Sequence, residues 1–301
     1  MKDILKFSSH YDGLDISVMN ICPEGEKKAV LQIAHGMCGC KERFTPFMEY
    51  MAENGVVCIA NDHRGHGDSV RSEDDLGYMY EGGAQALVED MRAVTWIAEE
   101  KYPGIPIFLL GHSMGSLAAR AYLKKYDDCL SGLLICGSPA YNPFAFTGKG
   151  LTGLLEKIGL GHKRPELIQK LMSAGFNHDF HSEGRQAWTC SDPAVRQEFA
   201  SDPKTNFRFT VNGAHCLTEL MLEAYSHDGW NVSKPDLPVM FLSGEDDPCM
   251  GGPAGLDKAV CALKEAGYRN VGIMTYPAMR HEILNEIGKE RVWQDILSFI
   301  L

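Results

Sequence analysis

The run Ile107–Leu110 leads into Gly111-His112-Ser113-Met114-Gly115, and a helix-forming stretch from Ser116-Leu117 follows without a spacer. This order leaves the chain few options: a buried strand must turn sharply into a helix with one serine at the apex. Glycines at 111 and 115 suit a turn in which neighbouring backbones come too close for side chains. The turn lifts the Ser113 hydroxyl clear of the sheet and sets it at a helix N-terminus, where the Met114 N–H can face a negatively charged oxygen. Gly-x-Ser-x-Gly also occurs in ordinary glycine-rich loops, so the weight falls on the strand before it and on partners elsewhere in the chain.

Two alternating segments, Ile4–Ser8 and Leu14–Ile21, flank the turn signal Tyr11-Asp12-Gly13 and predict an antiparallel hairpin at a sheet edge. Ala29–Ala34 is a buried-strand run ending in His35-Gly36-Met37. Helical spacing through Phe44, Phe47, Met48 and Met51 closes at Asn54-Gly55. Val56–Ala60 is the next strand and runs into Asp62-His63-Arg64-Gly65-His66-Gly67-Asp68-Ser69. Leu87, Met91, Val94 and Ala98 mark a helix closed by Pro103; Ile105–Leu110 and Leu130–Cys136 are further strands. Continuous apolar strands alternating with helices mean a mostly parallel sheet covered on both faces, an α/β fold.

The alternation lapses between Pro139 and about Pro235. There the chain carries short helical stretches, many breakers and a loose population of large apolar side chains, including Phe144, Phe146, Phe176, Trp188, Phe207 and Phe209. The sequence predicts a mainly helical cap over residues 139–235, set above the carboxyl ends of the strands where open α/β sheets bind ligands. The core comprises 1–138 and 236–301, closing with strands Pro238–Ser243 and Ile273–Tyr276 and a helix over Ile283–Ile300.

A nucleophilic serine needs a base, and the base an orienting carboxylate. After the cap, one strand ends in Gly244-Glu245-Asp246-Asp247-Pro248 and the next in Tyr276-Pro277-Ala278-Met279-Arg280-His281. Serine, acid and histidine thus fall at three strand ends in the order such a sheet requires. His178 and His181 could form a metal pair, but no third ligand accompanies them; Cys38-Gly39-Cys40 likewise lacks metal-site company. No metal or cofactor is expected. Nor does a net charge of −11 suit a nucleic-acid partner. The N-terminal segment has no secretory pattern, no stretch approaches membrane-spanning length, and ten scattered cysteines read as reduced; together these predict a cytoplasmic protein with no transmembrane segment.

His35-Gly36, Asp62–Ser69, Gly111–Gly115, Gly244–Pro248 and Arg280-His281-Glu282-Ile283-Leu284-Asn285-Glu286 together resemble the α/β-hydrolase superfamily. The likeness is to the serine hydrolases that include monoacylglycerol lipases, lysophospholipase-like esterases and prolyl aminopeptidases of the S33 type. It covers the core on both sides of the insertion and is weak in the cap. It implies Ser113 as nucleophile, His281 as base and then acid, and Asp247 rather than Asp246 as the orienting carboxylate. The backbone N–H groups of Met37 and Met114 would form an oxyanion hole, with His35, Gly36, Gly111 and Gly115 in support. Met37-Cys38 stands where the family often has a small residue, which predicts a narrower mouth. The expected activity is hydrolysis of a carboxylic ester (a monoacylglycerol, a lysophospholipid or a small acyl ester) through an acyl-enzyme. The competing readings are a prolyl-type aminopeptidase and a non-catalytic ligand-binding relative.

Overall fold

A computed structural model of the chain describes residues 1–184 and 186–301. Among these, eight strands form one sheet: β1 Lys2–Ser8, β2 Asp15–Ile21, β3 Ala29–Ala34, β4 Val56–Asn61, β5 Ile107–His112, β6 Gly132–Cys136, β7 Val239–Gly244 and β8 Val271–Tyr276. Their spatial order is β1-β2-β4-β3-β5-β6-β7-β8. β1 and β2 pair antiparallel, β2 joins β4 antiparallel, and every pairing from β4 to β8 is parallel. A parallel pairing needs a crossover, and the helices between strands supply it.

The sheet is buried on both faces, which is why β3, β4, β5 and β6 read as near-continuous apolar runs. On one face α1 (Thr45–Glu53) and α9 (Lys289–Ile300) place Phe47, Met48, Met51, Trp293 and Ile296 against Leu31, Ile33 and Leu110. On the other, α2 (Gly83–Lys101), α3 (Met114–Tyr126) and α8 (Gly252–Ala266) pack Leu87, Met91, Leu117 and Val260 against Val30, Leu109 and Leu133. The polar Gln32 faces this second side and is satisfied: its amide donates to Met91 O at 2.9 Å and its oxygen accepts from Thr95 Oγ1 at 2.7 Å.

The predicted C-terminal helix begins later than its apolar spacing suggests. Ile283 and Leu284 are buried in loop, and α9 starts at Lys289 after Gly288 takes φ 79°. Trp293 Nε1 donates to the Leu284 carbonyl at 3.0 Å, so the apolar pair is held by tertiary packing rather than by a helical turn.

Between β6 and β7 the described residues contain no strand but four α-helices: α4 (Ala145–Lys157), α5 (Glu166–Met172), α6 (Pro193–Ser201) and α7 (Val211–Tyr225). α7 lies against α2 and α3, and α4 rests on α7. No helix among the described residues is long and apolar enough to cross a membrane.

Candidate active site

The turn after β5 has the strain that its sequence implies. Ser113 sits at φ 54°, ψ −119°, a region that non-glycine residues rarely occupy. It is held there by its N–H donating to Cys136 O at 2.9 Å, and by Ser116, whose N–H and Oγ both donate to Ser113 O at 2.9 and 2.6 Å. Gly115 allows α3 to begin against the end of β3: a Cβ there would lie 2.1 Å from Ala34 O. Gly36 is equally constrained, since a Cβ would come within 2.9 Å of Ser113 Cβ. The His35–Gly36 loop therefore lies directly against the serine.

Loops following β7 and β8 bring up the other two residues. His281 Nδ1 is 2.9 Å from Asp247 Oδ2, and both side chains are buried. Asp247 also caps the short turn after β7 by accepting from Cys249 N at 2.8 Å. Its neighbours point elsewhere: Glu245 accepts from Thr275 Oγ1, and Asp246 is exposed. Burial opposes a proton on His281, but the adjacent Asp247 carboxylate overcomes it and raises the pKa above the ordinary histidine value. A neutral ring that donates from Nδ1 to Asp247 keeps its lone pair on Nε2. His112 does not compete; its Nε2 lies 3.2 Å from His281 O, and burial, reinforced by His281, lowers its pKa to about 4.

Ser113 and His281 open into one cavity of ≈ 100 Å³, shared with Met37, Cys38 and, from the segment between β6 and β7, Trp188 and Phe207. The N–H groups of Met37 and Met114 donate to no other backbone group among the described residues. The loop carrying Met37 is fixed from below. Cys38 N donates to His66 Nε2 at 3.3 Å, Gly39 N to Gly36 O at 3.1 Å, and Lys41 N to Asp62 Oδ1 at 2.8 Å. Cys38 itself has φ 54°. Asp62–Ser69 is scaffold: Asp62 accepts from Lys41 and Asp68, while the Arg64 guanidinium binds Asp12 and Asp90.

Several site residues had no signal in the sequence. Lys41 is wholly buried and neutralised by Asp62 and Asp68. Arg43 pairs with Glu282 in the cavity wall, and the Trp188 ring centroid lies 4.9 Å from that of His281. Each depends on contacts between segments far apart in the chain. The large apolar residues between β6 and β7 divide: Trp188 and Phe207 line the cavity, whereas Phe144 and Phe146 are 75% and 77% exposed. The His178–His181 pair turns inward on itself, His178 Nδ1 meeting Asp179 at 2.8 Å and His181 Nδ1 meeting His178 O at 2.8 Å. No third metal-ligating side chain joins them among the described residues.

The chain is 24% identical over 282 residues to a monoacylglycerol lipase of Mycolicibacterium smegmatis, covering 93% of this chain and 90% of that protein. It is 28% identical over 243 residues to a proline iminopeptidase of Thermoplasma volcanium, covering 75% and 76%. Among solved structures, a highly thermostable carboxyl esterase from Bacillus coagulans in complex with glycerol superposes with a TM-score of 0.90 at 25% identity, over 99% of this chain and 97% of that one. The family model described as serine aminopeptidase, S33, matches residues 25–288. A match over that span, on this sheet order, means that the chain belongs to the serine aminopeptidase S33 family and is an α/β-hydrolase of the monoacylglycerol-lipase-like group.

Proposed function

We propose that the chain is a carboxylic ester hydrolase that works through an acyl-enzyme on Ser113. The observation that carries this reading is the strained Ser113 turn opening into the same cavity as His281, with Asp247 on the far nitrogen of that ring. His281 Nε2 takes the hydroxyl proton as Oγ attacks the ester carbonyl. The N–H groups of Met37 and Met114 receive the oxyanion, and two preset donors there lower the barrier by several kcal/mol. The imidazolium, steadied by Asp247, then gives its proton to the departing alcohol, and water repeats the cycle on the acyl-enzyme. Residues 1–138 and 236–301 act as the catalytic core and 139–235 as the cap that shapes the slot.

The substrate class follows from the walls of the cavity. Trp188, Phe207 and Met37 favour an acyl chain. An aminopeptidase must hold a free α-ammonium with carboxylates. Among the described cavity residues the only carboxylate is Glu282, and Arg43 already neutralises it. Three of the cap acids are engaged elsewhere: Glu183 with Arg280, Glu219 with Lys149, and Glu166 with Lys170. Monoacylglycerols, lysophospholipids and small acyl esters are the proposed substrates, consistent with the lipase and esterase relatives. A fluorophosphonate probe should label Ser113, and a panel of acyl esters and prolyl amides should show turnover of the esters. Labelling at another residue, or turnover confined to prolyl amides, would overturn the reading.

A further inference from the structure

The cap residues Ala187, Thr189 and Ser191 are fastened to the loop of the catalytic histidine by bonds that flank a single contact. Arg280, immediately before His281, donates through Nη1 to Ala187 O at 2.6 Å. Glu282, immediately after it, donates through its N–H to Thr189 O at 2.8 Å. The carbonyls on either side of Trp188 are thus held by the residues on either side of His281, and this register sets the two rings against each other, 4.9 Å apart and tilted 44°. Glu183 orients Arg280 with a bidentate pair, 2.7 Å to Nη2 and 3.0 Å to Nη1, while Phe180 lies under the guanidinium at 3.9 Å. A bidentate fork fixes a guanidinium's direction as well as its place. Glu286 ties the far end, accepting from Arg280 N at 3.0 Å and Ser191 N at 2.7 Å. Phe176 also packs on Trp188, with ring centroids 4.9 Å apart, so the indole has a second aromatic contact besides His281.

We propose that Trp188 is the specificity-determining wall of the acyl slot, and that Arg280, oriented by Glu183, is the residue that positions it. This rests on the assignment of Ser113 and His281 as nucleophile and base. The indole forms part of the wall of a cavity of ≈ 100 Å³, well below the roughly 300 Å³ at which pockets for drug-sized ligands begin, so short acyl chains fit and long ones need the wall to move. Glu183 lies outside the cavity lining, pairs with Arg280 and also with Arg196, and reaches Trp188 through Arg280.

The test is a double-mutant cycle read as acyl-length selectivity, the kcat/KM for p-nitrophenyl octanoate divided by that for the butyrate. Trp188→Ala should raise this ratio about tenfold, the low end of what a methylene's fit in an apolar pocket is worth. Glu183→Gln should move it in the same direction, and in the Trp188→Ala background Glu183→Gln should add nothing, because its effect passes through the indole. A loss of stability alone would lower both esters in parallel and leave the ratio fixed. Trp188→Phe, with intermediate bulk, should give an intermediate ratio and serves if the alanine variant does not fold. An unchanged ratio in both Trp188 variants, or effects of Glu183→Gln and Trp188→Ala that simply add, would overturn the proposal. If Ser113 in the unmutated protein fails to react with a fluorophosphonate, the assignment of nucleophile and base is what fails, and that outcome is scored before the cycle is read.

Discussion

Asp247→Asn tests the candidate site at its most buried point. Asp247 is 2% exposed, and its Oδ2 stands 2.9 Å from His281 Nδ1. When the imidazolium forms, opposite charges about 4 Å apart at an effective dielectric near 20 attract by about 4 kcal/mol, or roughly a thousandfold in rate. A second loss comes from the tautomer. An Asn amide that donates to Nδ1 moves the ring proton to Nε2, which then presents N–H instead of a lone pair to Ser113. Together these put the expected fall in kcat at about 10³–10⁴. The acid limb of kcat/KM should also move to lower pH, because the carboxylate that raises the His281 pKa is gone. Asp246 is exposed and its backbone N–H meets Met279 O, so Asp246→Asn should stay within about twofold. Purified variants, their folding checked by thermal unfolding, are assayed with a p-nitrophenyl ester across pH. Retention of more than about a tenth of kcat by Asp247→Asn, or a larger loss in Asp246→Asn, would refute the assignment.

Three further outcomes follow from the same geometry. Ser113→Ala should abolish turnover and fluorophosphonate labelling, while Ser113→Gly, which relieves a φ of 54°, should in addition unfold at a higher temperature, by about 1 kcal/mol of stability; a Ser113→Gly protein less stable than the parent would show that the turn is not strained. In the unmutated enzyme kcat/KM should rise with pH through one limb whose midpoint lies above the ordinary ~6.5 of histidine, since the base acts neutral and its pKa is raised; a midpoint below 6 would contradict the placement of Asp247. Along a p-nitrophenyl ester series kcat/KM should climb over the first several carbons and then drop, with prolyl amides poor throughout; a flat response together with good prolyl turnover would favour the aminopeptidase instead.

Much of the core was legible because its strands are buried on both faces. Ala29–Ala34 as predicted is the strand observed, and the Asn54-Gly55 stop falls where α1 ends. Legibility failed where side-chain burial is decided by distant chain. Ile283 and Leu284 have helical spacing with the residues of α9, yet they are core residues of a loop, and Glu286 beside them binds Ser191 of the cap. Lys41 reads as surface charge, and only the fold puts Asp62 and Asp68 around it. Trp188 is one of an apolar population whose orientation no local pattern sets. Its place opposite His281 depends on carbonyls gripped by residues more than ninety positions away. Motifs that meet at strand ends are written locally, whereas a cap is written in pairings that no single segment contains.

The buried histidines around the site show how one fold assigns charge to a single ring there. His35, His63 and His66 cluster beneath the Met37 loop, with ring centroids 4.3 and 4.9 Å from His35. His35 Nδ1 faces Gly36 O at 2.8 Å while its Nε2 accepts from His63 N at 2.9 Å. His66 repeats the arrangement, with Nδ1 on Arg64 O at 3.1 Å and Nε2 accepting from Cys38 N. In both rings one nitrogen must donate and the other must accept, so a second proton would set N–H against N–H. Burial pushes the same way: His66 falls to about 4, His63 to about 3, and His35 well below the ordinary value. His281 is buried too, but it has a carboxylate where the others have a backbone carbonyl or no partner, and its pKa moves up instead. The loop beneath the site therefore keeps neutral, fixed acceptors over the working pH range. The one imidazole able to take a proton there is the one whose far nitrogen rests on Asp247.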